Sequence, residues 1–335
     1  MRKRSRRGQQ VDIRRIADWP ALPYAIREMI QNETLTPQQS LAANGRSFHW
    51  ASRFLGARMG DHATRLYAFC RLLDDMADGD IDDGPARLSA IREDMIAGRT
   101  GSDPALAAFQ PFMKQMNFST EVLVALIDGL LQDQADEVCL ADEAELLRYA
   151  YRVAGTVGLL MCDVLDCHDQ AAKAHAIDLG IAMQLTNIAR DVLEDAQMGR
   201  RYVPGIWVEN LSADQIVLAS KNPDSAEALA MRNAVEKILA LAERFYESGA
   251  RGFRFLPWRA HLAIAVAARV YRQIGVQLAA TGHAWHRGRQ VTSASTKLRC
   301  SLPALFSLLA RSFTSPSHRH DATLHRPLEG LPHVS

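Results

Sequence analysis

The chain has 335 residues, with 39 Lys or Arg, 38 Asp or Glu and a formal net charge of +1; 48% of it is hydrophobic and 23% charged. That balance excludes a disordered chain, a disulfide scaffold and a fibrous repeat, and it suits one large domain or two ordinary ones. The neutral sum hides unlike parts: residues 1–15 carry seven basic residues against one acid and residues 285–335 carry seven against two, so the body between is acidic.

An acidic body between basic ends is not a nucleic-acid profile, which needs a basic stripe on the folded domain. The ends read either as solvated tails or as contacts to anionic lipid, where each basic residue contributes about 1 kcal/mol. Five cysteines, an odd number with no CxxC, point to reduced thiols in the cytoplasm. The N-terminus lacks the apolar segment of a secretory signal. No apolar run approaches the ~18 residues of a membrane span.

Apolar residues recur at helical spacing over 39–55, 62–77, 86–97, 120–138, 143–166, 174–196, 225–251 and 259–280. Starts are marked by Ser119 with Glu121, Asp142 with Glu145, and Pro223-Asp224. Breaks fall at Gly79, Gly84-Pro85, Gly98 to Pro104, Gly199 to Pro204 and Pro257. No strand-period run of useful length occurs. The prediction is an all-α fold with one large helical domain over 39–312. A basic N-terminal extension, 1–38, precedes it, and a flexible His- and Pro-containing tail, 313–335, follows it.

Two segments carry chemistry. In the first, Tyr67, Arg71, Asp74, Asp75 and Asp78 fall at offsets of 4, 7, 8 and 11, within one helical stripe. Flanking Leu66, Phe69, Leu72 and Leu73 turn that stripe into a cleft rather than to solvent. Like charges one turn apart repel unless a cation joins them, and hard Mg²⁺ takes carboxylate, water and phosphate oxygens together. In the second, Gln184, Asn187, Asp191 and Asp195 share a face, with Arg190 and Glu194 beside it. Either segment alone is weak. Two facing carboxylate helices with Arg71 and Arg190 suggest a clamp that holds diphosphate and stabilises its departure, leaving a carbocation in a dry cavity.

These residues resemble the trans-isoprenoid squalene/phytoene synthases, most closely the bacterial phytoene synthases of carotenoid biosynthesis. The matching runs are Tyr67-Ala-Phe-Cys-Arg71 with Asp74-Asp75-Met-Ala-Asp78, Tyr149 to Gly158, Gln184 to Asp195 and Gly199-Arg200-Arg201-Tyr202-Val-Pro204. Ser47-Phe48 and the distal Val270-Tyr271-Arg272 also match, so the resemblance spans about 40 to 300. It departs at Asn44-Gly45-Arg46, where relatives often carry His or Lys before the Ser-Phe.

The resemblance implies the isoprenoid synthase fold with a central cavity. It also implies head-to-head condensation of two geranylgeranyl diphosphates to phytoene through a cyclopropylcarbinyl diphosphate. Metal would be held by Asp74, Asp78, Asn187, Asp191 and Asp195, with Asp75 sharing it or accepting an arginine. Arg71 and the four aspartates Asp74, Asp78, Asp191 and Asp195 would be catalytic. Tyr67, Arg71, Gln184, Arg190 and Tyr271 would position diphosphate; Ser47, Phe48, Tyr149, Val153, Ala154 and Gly158 would line the cavity. Gly155 and Gly158 are read as room for a prenyl chain rather than for a neighbouring helix. Arg200 and Arg201 either close over phosphate or cap the helix end.

The expected cofactor is Mg²⁺, with Mn²⁺ as the alternative, and no NADPH, since no strand–GxGxxG–helix is present. The expected partners are two geranylgeranyl diphosphates, a membrane surface as product acceptor and downstream carotenoid enzymes. The expected location is cytoplasmic and peripherally membrane-associated. Squalene or dehydrosqualene synthesis from farnesyl diphosphate is the alternative, followed by a non-catalytic helical scaffold and a terpene cyclase.

Overall fold

The computed structural model describes residues 51–101, 103–135, 137–288, 294–310 and 320–334. All of them belong to one compact unit, Pro37–Ser335. The preceding unit, Met1–Thr36, lies outside the described residues, as do Ser47 and Phe48.

The described residues form eleven α-helices and very little else. They are α1 (Ala57–Ala77), α2 (Gly84–Ile96), α3 (Pro104–Met116), α4 (Thr120–Gln132), α5 (Glu143–Ala150) and α6 (Thr156–Val164). Then come α7 (Gln170–Gln197), α8 (Ala213–Ala219), α9 (Ala226–Arg251), α10 (Trp258–Ala280) and α11 (Ala294–Ala310). Two short strands, β1 (Val138–Cys139) and β2 (Arg200–Arg201), pair in parallel, Val138 opposite Arg200. No described helix is long and apolar enough to cross a membrane. All five cysteines are free.

Helix α7 is the axis of the molecule. Its 28 residues run about 42 Å at 1.5 Å per residue. It packs on α9, α6, α10 and α8. The reason lies in its composition: Ile177, Ile181, Leu185, Ile188 and Val192 are buried, with small residues between them. Asp169 caps its start by accepting the Ala171 N–H at 2.9 Å. Gly199, at φ +80, follows its end.

Starts at Ser119 and Asp142 are as read from the sequence: each side chain accepts a hydrogen bond from the backbone three residues on. The cap near 224 is Ser225, which accepts from Ala228. Gly84-Pro85 opens α2 rather than breaking a helix. The predicted helix 120–138 stops at Gln132, because Val138–Cys139 pairs with β2 instead. The predicted helix 143–166 contains a π-helical turn, Tyr151–Gly155.

Three helices were not predicted: α3, α8 and α11. In α3, Pro111 sits inside the helix and removes one backbone donor, which blurs the pattern. Packing overrides that cost. Phe69 of α1 stacks on Phe109 of α3 at 3.6 Å between centroids, and Phe112 meets Phe118 edge-on at 5.5 Å.

The expected flexible tail needs correction over 320–334. Residues Ala322–Leu328 form a 3₁₀ helix that packs on α5. Arg148 of α5 donates to the carbonyls of Pro327 and Glu329 at 3.1 and 3.0 Å, and the Tyr151 hydroxyl donates to the Pro332 carbonyl. Composition made this segment look solvated; specific hydrogen bonds to the body hold it.

Candidate active site

The first cluster lies on the last three turns of α1. Arg71 donates to Asp74 Oδ2 at 2.8 Å and pairs with Asp75 one turn on. Its Nε is a buried donor with no hydrogen-bond partner. Tyr67, one turn upstream of Arg71, faces the cavity; burial pushes its hydroxyl up to about 12.

The second cluster lies on the last three turns of α7. Arg190 is buried and grips Asp191 with two donors, Nε to Oδ1 at 2.7 Å and Nη2 to Oδ2. Asn187 donates to Gln184 Oε1 at 3.3 Å, while its own Oδ1 is buried with no donor. Asp195 is pushed up to about 8, first by burial and then by Asp191, Asp133 and Glu194.

Arg200 brings the two clusters together. It follows α7 on β2 and donates to Asp78 Oδ1 of the first cluster at 3.0 Å. Its charge also lowers the pKa of Asp195 and of Asp133. Its neighbour Arg201 does something else: it is buried and donates to the carbonyls of Leu140 and Val203 at 2.9 and 2.7 Å. Alternation along the short strand sends one arginine into the site and the other into the body.

Sequence reasoning missed Asp133. It caps the end of α4, and two hydroxyls converge on it: Tyr149 donates to Oδ2 and Tyr202 to Oδ1, each at 2.8 Å. The two rings stack at 4.7 Å. Burial pushes Asp133 up to about 6, with Asp78 adding to the rise. Tyr149 therefore belongs to this carboxylate triad and does not line the cavity. No local pattern flagged Asp133, because its partners lie 16 and 69 residues away.

Below the carboxylates runs an apolar cavity of about 270 Å³. Tyr67, Val153, Ala154, Gly158, Gln184, Asn187 and Tyr271 border it. The π-helical turn supplies Val153 and Ala154. The reading of Gly155 as prenyl room needs correction, and Gly158, which borders the cavity, is also packed tightly against α7. A Cβ on Gly158 would lie 2.2 Å from the Ala176 carbonyl oxygen, and one on Gly180 would lie 2.3 Å from that of Ala154. A Cβ on Gly155 would press on Tyr151 at 3.2 Å, and Gly155 does not border the cavity. Close backbone packing on α7 is what demands glycine here.

The donor set suits a hard divalent cation. It consists of carboxylate and amide oxygens, with Asn187 Oδ1 unused. Asp74 is pushed up to about 6 by burial and by Asp78, Asp75 and Asp133, and Asp195 higher still. Buried carboxylates that repel one another this strongly are stabilised by a cation between them.

An all-α body that holds two carboxylate clusters over one apolar cavity is built to grip a charged head and bury a hydrocarbon tail. The family described as squalene/phytoene synthase matches residues 41–296, and the chain belongs to it. A 15-cis-phytoene synthase of a Paracoccus species is 33% identical over 79% of this chain and 88% of its own length. That of Pantoea ananas is 33% identical over 87% and 96%. Among solved structures, a dehydrosqualene synthase in complex with ligand superimposes with a TM-score of 0.70. It is 25% identical and covers 85% of this chain and 98% of its own.

Proposed function

We propose that this chain is a phytoene synthase. It joins two geranylgeranyl diphosphates head to head: the first releases its diphosphate, its C1 cation is captured by the double bond of the second, and a proton is lost as the cyclopropane ring closes. The resulting cyclopropylcarbinyl diphosphate ionises in turn, rearranges and loses a proton. The single observation that carries this reading is the meeting of the two carboxylate clusters through Arg200 and Asp78 at one end of an apolar cavity.

In this reading Asp74, Asp78, Asn187, Asp191 and Asp195 hold Mg²⁺, with Asp75 sharing it while paired to Arg71. When bound, the metal neutralises diphosphate charge and makes it a better leaving group. Arg71, Arg190 and Arg200 offer further donors to phosphate oxygens. Tyr67, Gln184 and Tyr271 stand where the charged head gives way to hydrocarbon. Val153, Ala154 and the apolar wall exclude water, which would otherwise trap a carbocation.

The test is incubation of purified protein with Mg²⁺ and either geranylgeranyl or farnesyl diphosphate, without NADPH, followed by identification of the hydrocarbon. Phytoene is expected from the former. A product from farnesyl diphosphate alone would favour dehydrosqualene synthesis, which the likeness to that solved structure supports as the second reading. No product would leave the scaffold reading.

The seven basic residues of 1–15 support peripheral attachment to an anionic membrane, where an oily product can leave. Deleting them is expected to weaken co-sedimentation with anionic vesicles; unchanged binding would refute the attachment.

A further inference from the structure

The cavity follows α7 from Asn187 down to His175 and Ala172. From Asn187 to His175 is twelve residues, about 18 Å of helix. At that lower end the wall is made by Cys167, Gly252, Phe253 and Leu256, with His175 among them. His175 is buried, and its ring lies near parallel to Phe255 at 6.2 Å. Gly252 packs so closely that a Cβ there would sit 2.6 Å from the His175 Cβ.

Behind His175 stands the C-terminal segment. His320 meets its ring edge-on, with centroids 5.3 Å apart. His320 is itself fastened to Asp178, one turn beyond His175 on α7. His320 Nε2 and His325 Nε2 lie 2.8 Å from the two Asp178 oxygens, and Ser248 donates to the same carboxylate. Asp178 is 0% exposed. An isolated carboxylate so buried would be costly. Burial opposes its ionisation, yet the hydrogen bonds from His320, His325 and Ser248 hold its pKa below the usual range. His320 and His325 therefore tie the tail to α7, and Ser248 ties α9 to the same carboxylate.

Asp178, His320 and His325 converge closely enough for a metal. The chemistry disfavours one. His325 Nδ1 is buried with no partner. A metal on Nε2 would put the proton on Nδ1, stranding a buried donor that metal-bound histidines normally satisfy. As a donor from Nε2 to Asp178, the ring leaves only a lone pair unmet.

We propose that His175, braced by the Asp178–His320–His325 latch of the C-terminal segment, forms the closed end of the prenyl cavity and sets the longest chain the enzyme accepts. The inference rests on the prenyl diphosphate reading of the site. Truncating His175 lengthens the cavity, removing its brace lets it yield, and enlarging it shortens the cavity.

The test compares wild type with His175→Ala, His175→Phe and His320→Ala. Each receives farnesyl diphosphate, geranylgeranyl diphosphate and the homologue one isoprene unit longer, with kcat/KM measured for all three. A circular-dichroism melt confirms folding; His175→Phe keeps an aromatic ring at the site while adding bulk, so the test survives a misfolded alanine variant. His175→Ala and His320→Ala are expected to raise the preference for the longest substrate over geranylgeranyl by about tenfold or more, the scale on which apolar pockets discriminate length. His175→Phe is expected to move preference toward farnesyl by a similar factor. Unchanged ratios in folded variants, with wild type still making its hydrocarbon, would overturn this inference alone. Wild type that makes none would overturn the reading beneath it.

Discussion

Arg200 Nη1 lies 3.0 Å from Asp78 Oδ1, although 122 residues of chain separate them. This contact joins the end of α1 to the strand that follows α7. The pair is partly exposed to solvent, so its worth to stability is small, about 0–1 kcal/mol. In the proposed function its value lies in aiming a cation at the diphosphate end. Arg200→Met is therefore expected to leave the melting temperature nearly unchanged. It should cut kcat by about 10²–10³, the cost of losing one preorganised donor. Steady-state kinetics beside a thermal melt separates the two effects.

Asp133 presents the reverse case. Its carboxylate is the shared acceptor of Tyr149 and Tyr202. Asp133→Ala strands two buried hydroxyls, each costing about 1–3 kcal/mol. A clear fall in the urea midpoint is expected, with a smaller fall for Asp133→Asn. An unchanged midpoint would show that the triad is not structural.

Asp195 gives a pH dependence with a definite sign. Its folded pKa is raised from 3.8 to about 8. Between those values the metal-free folded state holds a proton that the unfolded chain has lost. The metal-free protein should therefore lose stability as pH rises through that window. A divalent cation displaces the proton, so Mg²⁺ affinity should climb toward pH 8, by up to about tenfold per unit for each proton displaced. Calorimetric titration in buffers of different ionisation enthalpy would detect the released proton. No proton release and a flat affinity would contradict the assignment.

Two glycines predict opposite outcomes. Gly180→Ala pushes a Cβ against the Ala154 carbonyl oxygen, where backbone must move. A loss of about 1–3 kcal/mol is expected. Gly60 lies in the first turn of α1, and the nearest atom to a Cβ there is 3.9 Å away. Gly60→Ala should stabilise by about 0.4–1 kcal/mol, because it restricts the unfolded chain without a clash. Denaturant unfolding of both variants reads the signs directly.

Features that depend on neighbours three and four residues apart are legible in the amino-acid order. Helical period ordered Tyr67, Arg71, Asp74, Asp75 and Asp78 on one face of α1, and Gln184, Asn187, Asp191 and Asp195 on one face of α7. The same period, with the cap at Asp142, was enough to start α5. Features that depend on groups far apart along the chain emerge only once it is folded. Arg200 turns to the site and Arg201 to carbonyls of the body; Asp133 gathers two tyrosines; Gly158 lets α6 pack closely on α7. The tail, polar and Pro-rich by composition, folds back because a buried carboxylate on α7 needs donors and finds them in His320 and His325. A periodicity reports which face a side chain takes on its own helix, whereas a buried polar group is satisfied by whatever packing brings to it.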